Sequence, residues 1–344
     1  MTDEKKAAGV LNPHDKVIRE TYSDRDNARS FLTHYLPDKV LKLVDLDTLE
    51  ISKDSFIEKE LADYYSDMLY KVTLTGGSQG FIYLLFEHKS YYDRYVHLQL
   101  LEYMVKIWRL HIKQHKGTSF KLPIVIPLLI CHAGKEWPDD TMRLASLLSG
   151  PVEDLAGYIP DFGFELYDLH RFSDDQIKGT IVIRMILLLV KHIKDPDLRE
   201  KLPDILGLLR TLMDKETGLQ WLEVVIRYLA SVLDEDELSM REIKEMAEKA
   251  ISKETGGYVM TLAEKLRKEG EARGEARGEE RGEKRGEVKG LRNAIELGMT
   301  LKFPGDIEVV MDRVNQINDI AALVEITETI KTAQDSSEIL TLLK

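Results

Sequence analysis

At 344 residues the chain is long enough for two domains, each able to bury a core. Its 43% hydrophobic and 31% charged content are those of an ordinary globular chain, and a formal net charge of -12 excludes a broadly basic nucleic-acid coat. A local basic cleft is not excluded, and metal-dependent hydrolases need acids where the cation sits. The single cysteine, Cys131, cannot staple the chain internally and lies in an apolar run, which predicts an inert buried thiol. Pairing with His132 as a nucleophile is disfavoured, because adjacent strand residues point to opposite faces. The opening MTDEKKAAGV lacks an apolar signal core, and the run Ile181 to Val190 is broken by Arg184 and too short to span a bilayer. We therefore expect a cytoplasmic protein with no membrane association.

In chain order, residues 1–12 read as a disordered N-terminus. Asp15 to Leu36 has helical spacing, with Val17, Ala28, Phe31, Leu32 and Tyr35 as core candidates, Asp15 as an N-cap candidate and Pro37 as its end. Val44 to Ile51 alternates and predicts a first strand. The apolar runs Met68 to Leu74 and Phe81 to Phe86 flank Thr75-Gly76-Gly77-Ser78-Gln79-Gly80, the signature of a β-hairpin. Folding it about Gly77-Ser78 brings Asp67 across from Glu87 and His88. Glu87 and Lys89 are two apart and share one strand face. Two carboxylates at a sheet end repel unless a hard cation such as Mg²⁺ or Mn²⁺ neutralises them. A lysine beside that cation can orient or deprotonate a water. The competing reading is an edge hairpin carrying a Glu–Lys surface pair. Asp63 competes with Asp67, but would lie beyond the paired region.

The next helix, Tyr92 to Lys113, has Leu98, Leu101, Val105 and Trp108 as its apolar stripe, and brings Gln99, Tyr103 and Lys106 onto a neighbouring face. That face either lines a cleft or forms a polar shoulder beside the core. Lys121 to Ile130 predicts a buried strand.

Asp67 followed by Glu87-His88-Lys89 resembles the PD-(D/E)xK nuclease core, and Gln99 with Tyr103 is similar to the Gln-xxx-Tyr helix of RecB-like nucleases. HDKVIRETYSDRDNARSFLTHYLP, ADYYSDMLYKV, FIYLLFEHKS and LLEYMVKIW together resemble the Rpn family of recombination-promoting nucleases, the YhgA-like transposase group. The resemblance runs strongly from Pro13 to Gly134. It implies an α/β restriction-endonuclease-like core of order αβββαβ, DNA as partner, and Mg²⁺ (or Mn²⁺) held by Asp67, Glu87 and the His88 backbone carbonyl. Lys89 and Gln99 complete the implied catalytic set, with Glu20, Tyr103 and Lys106 as accessory candidates. A solvated Glu20 is the plainer alternative.

Trp137 to Gly150 reads as a helix, and Phe162 to Phe172 as an extra strand closing a core over 13–172. Residues 173–268 are helical in pattern and carry no metal spacing, triad or phosphate loop. Residues 269–290 hold a period-four repeat, GEARGEARGEERGEKRGEVKG, with six acids and six bases, which is neutral in sum and unsuited to act as a basic tail. Its glycines, each costing a helix about 1 kcal/mol relative to Ala, leave a pairing helix and a solvated linker equally open. Residues 291–344 read as a small helical domain. Homo-oligomer formation through the repeat and these helices is expected. The function reading is a metal-dependent DNA endonuclease linked to recombination or mobile elements; the alternatives are a catalytically silent assembly protein or an RNA nuclease.

Overall fold

The computed structural model describes residues 13–52, 68–87, 93–115, 120–131, 143–213, 216–234 and 236–343. The chain divides into two compact units, Met1–Ala263 and Glu264–Lys344.

The first unit is built on one mixed sheet of five strands: β1 (Val44–Ile51), β2 (Met68–Leu74), β3 (Gln79–Glu87), β4 (Ile124–Cys131) and β5 (Glu165–Asp168). The strands lie in sequence order. β1, β2 and β3 pair antiparallel, whereas β3, β4 and β5 pair parallel. Antiparallel neighbours can be joined by a tight turn, and the parallel step from β3 to β4 needs a crossover. Helix α4 (Val96–Gln114) supplies it.

The β2–β3 hairpin is displaced from the sequence expectation. Met68 pairs with Leu84 and Thr73 with Gln79, so it folds about Gly76 rather than about Gly77-Ser78. The cause is backbone stereochemistry. Gly77 N–H donates to the Leu74 carbonyl at 2.9 Å, which puts Gly76 at the third turn position with φ +90°, followed by Gly77 at +82°. Only glycine takes such angles without strain. In β1 the register shifts between Asp45 and Glu50. There the Thr48 hydroxyl accepts from Thr73 N–H at 2.8 Å, standing in for a ladder carbonyl.

Both sheet faces are covered, which is what the unbroken apolar run Phe81–Phe86 of β3 requires. One face packs under α4: Leu69, Phe81, Tyr83, Leu85, Val125, Leu129 and Cys131 join Val96, Leu100, Tyr103, Met104, Ile107 and Leu110 in a single core. Cys131 is indeed a buried free thiol. On the other face, α1 (Pro13–Tyr22) and α2 (Arg25–Tyr35) meet the sheet through aromatic side chains. The Tyr70 hydroxyl donates to the Tyr22 carbonyl at 2.8 Å, and the Tyr167 hydroxyl to that of Tyr35. Phe31 stacks on Tyr35 and meets Tyr22 and Tyr167 edge-on.

The expected single helix over Asp15 to Leu36 is thus two helices. The break falls at Ser23-Asp24, where the Asp24 side chain accepts from Asn27 N–H at 2.9 Å and starts the second helix. Asp15 lies inside the first turn of α1 rather than at its cap. After them comes a four-residue turn of helix, α3 (Asp38–Leu41). The helix expected over Trp137 to Gly150 is, within the described part, a single 3-10 turn at Leu144–Leu147. The strand expected over Phe162 to Phe172 is only four residues long, ending in a 3-10 turn at Leu169–Arg171.

Helices α5 (Ile181–His192), α6 (Leu198–Gly207), α7 (Glu216–Val232) and α8 (Met240–Ala250) complete the first unit. Nine of the twelve residues of α5 are buried, so its all-round apolarity marks a core helix. Among the described residues no helix is long and apolar enough to cross a membrane. At the end of α5, His192 Nε2 lies 2.8 Å from Asp174 Oδ1 and Nδ1 lies 2.5 Å from Asp195 Oδ2.

Helix α9 (Lys253–Lys302) carries the whole period-four repeat as regular helix, so of the two conformations left open the chain takes the helical one. Ion pairs one turn apart, Arg267–Glu271, Lys268–Glu264 and Lys284–Glu280, partly offset its glycines. In the second unit, the end of α9 packs with α10 (Ile307–Val314), α11 (Ile320–Thr332) and α12 (Ser336–Leu342). Their core is Ile295, Met299, Val310, Val314, Leu323, Ile326, Ile330 and Ile339. Lys302 Nζ donates to the carbonyls of Ile330, Lys331 and Ala333 at 2.8–2.9 Å, satisfying the otherwise open end of α11.

Candidate active site

The expected site sits where β3 ends, and the register defines what surrounds that end. Glu87 is the last residue of β3 and pairs with Cys131, the last of β4, which in turn pairs with Asp168, the last of β5. The carboxyl ends of three parallel strands therefore form one row, at the edge where open α/β sheets leave a crevice for ligands. β2 begins towards the same edge, but its first residue, Met68, pairs with Leu84, three residues short of Glu87, so the ladder does not carry the expected placement of Asp67 across from Glu87. Asp67, His88 and Lys89 lie outside the described residues; by chain order they adjoin Met68 and Glu87. Glu87 is described as strand backbone only.

Helix α4 delivers its first turn to the same edge. Its orientation follows from two contacts: Trp108 Nε1 donates to the Pro123 carbonyl at 2.8 Å, beside the start of β4, and Tyr103 stacks on Tyr83 midway along β3. The helix thus runs antiparallel to β3 and β4. Gln99, one turn before Tyr103, lies towards the carboxyl ends and is half-buried. Tyr103 itself is a core residue, 2% exposed, and Lys106 holds its ammonium 4.9 Å from the Tyr103 ring. The face carrying these three residues is therefore mixed: Tyr103 faces the sheet, while Gln99 and Lys106 stand at its margin.

Glu20 is exposed on α1. It lies two residues before Tyr22, whose carbonyl takes the Tyr70 hydroxyl, so its helix end is fastened near the start of β2.

Sequence reasoning does not single out Asp168. It is 2% exposed, in line with Cys131 and two strand spacings, about 10 Å, from Glu87. Its side chain accepts from His170 N–H at 3.1 Å and pairs with Arg171 at 3.7 Å. It caps the 3-10 turn after β5. The available signal is its place in LYDLHRF, an acid closing an apolar run, and only the β4–β5 register gives that signal significance.

The donor chemistry fits a hard cation. Asp67 and Glu87 with a main-chain carbonyl make an all-oxygen set of the kind Mg²⁺ and Mn²⁺ prefer. Among the described residues, no group of three or more His, Cys, Asp or Glu side chains is placed to hold a metal. Any such site therefore depends on the residues bordering the described strand ends.

A mixed five-stranded sheet with helices on both faces defines an α/β protein. The chain belongs to the family described as "Putative transposase, YhgA-like", whose model matches residues 12–220. It is 34% identical over 260 residues (75% of this chain, 83% of the relative) to the inactive recombination-promoting nuclease-like protein RpnE of Escherichia coli K12. Recombination-promoting nuclease RpnD of E. coli O157:H7 is 26% identical over 257 residues, 75% of this chain and 95% of the relative. Recombination-promoting nuclease RpnA of E. coli K12 is 28% identical over 259 residues, 75% and 85% of the two chains. No solved structure matches the chain.

Proposed function

We propose that this chain is a metal-dependent DNA endonuclease of the PD-(D/E)xK type, acting in the cytoplasm in a recombination-linked setting. The observation that carries the reading is the convergence of the β3 carboxyl end, the β2 start and the first turn of α4 at one sheet edge. Family relatives named as recombination-promoting nucleases support it. In this reading Asp67, Glu87 and the His88 carbonyl hold Mg²⁺ or Mn²⁺, which when bound lowers the pKa of a water and offsets charge developing on phosphate. Lys89 positions or activates the attacking water. Gln99 holds that water or the scissile phosphate from the helix side. Glu20 and Lys106 are accessory candidates only, Lys106 lying beyond Tyr103 from the strand ends.

The test is cleavage of supercoiled plasmid by wild type, Asp67→Ala and Lys89→Ala. Nicking that disappears in both variants and on adding EDTA is the expected result. Intact plasmid across Mg²⁺ and Mn²⁺, or variants that cut as well as wild type, overturns the assignment. A second reading, a catalytically silent assembly protein, is favoured by one observation: a relative at 34% identity is named inactive. It predicts plasmid left uncut by a fully folded chain.

A further inference from the structure

The second unit contains a cleft of about 520 Å³ between the last turns of the repeat in α9 and the α10–α11 connection. Its helix wall is Lys284, Arg285, Lys289 and Arg292, with Glu296 the only acid among its lining residues. Opposite stand Asn315 and Asn318. Four cations against one carboxylate are set in a chain whose net charge is -12.

The repeat geometry explains how a neutral sequence produces this. Each unit places Glu second and Arg or Lys fourth, two residues apart, hence about 200° around the helix. Within each unit the acid and the base lie on opposite sides: Glu271, Glu275, Glu279, Glu283 and Glu287 form one slowly winding stripe, and Arg273, Arg277, Arg281, Arg285 and Lys289 a second that winds opposite it, each drifting about 40° per unit. In the final two complete units the basic stripe reaches the helices of the second unit and becomes one wall of the cleft.

Little neutralises these charges. Arg292 Nη2 donates to the Ile317 carbonyl at 2.8 Å and to Asn318 Oδ1 at 3.2 Å, both uncharged. Its Nε is buried and has no partner among the described residues. Lys284 pairs with Glu280 at 2.7 Å, but both are well exposed, so that pair is weak. Arg285 and Lys289 are exposed and form no ion pair among the described residues. From Arg285 to Arg292 the stripe runs about 10 Å along the axis, enough to face roughly three phosphates of one DNA strand.

We infer that this cleft grips the phosphodiester backbone of duplex DNA, a second contact carried by a different unit from the sheet edge. The choice of ligand rests on the endonuclease reading; the site itself does not. Cations on a helix wall with amides opposite suit backbone phosphate, a contact that positions a duplex without reading its sequence.

The test uses the full chain in EDTA, so that cleavage plays no part, with a fluorescein-labelled 20-base-pair duplex and anisotropy read across a salt series. The substitutions R285A and K289A are combined, because both sites are exposed helix positions where Ala is well tolerated. A control combines R273A and R277A, which remove the same charge from the same stripe outside the cleft. The expected result is a roughly tenfold weaker affinity for the cleft variant, with the slope of log affinity against log salt reduced by about 2, and a control close to wild type. No duplex binding by wild type, an unchanged slope in the cleft variant, or equal losses in both variants would each overturn the inference. Because binding is read without metal, a failure of the nuclease assay leaves this result unaffected.

Discussion

Tyr103 stacks on Tyr83 with ring centroids 5.0 Å apart and planes 28° from parallel, and this contact fixes α4 against β3. The helix bearing Gln99 and the strand ending in Glu87 are held in register by that pair. Tyr103→Ala should cost about 3–5 kcal/mol through the cavity it leaves, and Tyr103→Phe, which keeps the stack, far less. Urea unfolding followed by circular dichroism separates the two; equal losses would show that the stack is not what matters.

Gln99→Ala removes a marginal, half-buried side chain and should shift stability by less than about 0.5 kcal/mol. Under the proposed reading it lowers cleavage at least tenfold in the same preparation. Unchanged cleavage would take Gln99 out of the site while leaving the metal ligands in place.

The His192 cluster predicts an acid-sensitive first unit. Burial pushes Asp174 up, but hydrogen bonds from Lys191 and His192 outweigh it and hold the carboxyl below its usual value. Asp195 behaves likewise through His192 and Lys201. A carboxyl depressed in the folded state contributes stability above its unfolded pKa, near 4, and loses it as pH falls through the folded value. Stability should therefore drop below about pH 4, and the drop should be shallower in the Asp174→Asn/Asp195→Asn double variant. Parallel curves for the two proteins would dismiss the cluster as the cause.

Gly76→Ala and Gly77→Ala should each destabilise by about 1 kcal/mol or more, because both positions need positive φ. Nothing lies within 4 Å of a Cβ built at either position, so backbone strain alone accounts for the loss. A neutral thermal shift for both would contradict the turn geometry.

Lys302→Met strips the end of α11 of three accepted hydrogen bonds. We expect a loss of about 1–3 kcal/mol confined to the second unit, visible as faster amide exchange in residues 320–333 and unchanged exchange in β3.

Part of this architecture is legible in local sequence pattern alone. β1 follows from alternation and has the expected bounds, Val44–Ile51. The two strands of the hairpin are where their apolar runs place them, but its centre is not: the middle of the linker is Gly77-Ser78, whereas the φ values glycine allows place the turn at Gly76. The break at Asp24 has a readable signal, a helix-capping aspartate, but the apolar spacing across it obscures it. Asp168 gains its place from pairings with β4 that join residues about 40 apart in sequence. The basic wall at Arg285 and Lys289 is hidden when charge is summed along the repeat, because the helix sorts that charge by angle.

The change of pairing at β3 has a kinetic consequence. Its β2 side closes through the four residues Thr75 to Ser78, whereas its β4 side waits for the whole α4 crossover. Nearby contacts form sooner than distant ones, because less chain entropy is lost in closing them. Pulse-labelled amide exchange during refolding reads the order directly, with protection of β2 expected before β4. The edge bearing Glu87 is thus completed only when β4 docks, late in assembly. Under the proposed reading, a newly made or partly unfolded chain would carry the acidic motif without the sheet edge around it, and cleavage would be withheld until the fold is finished.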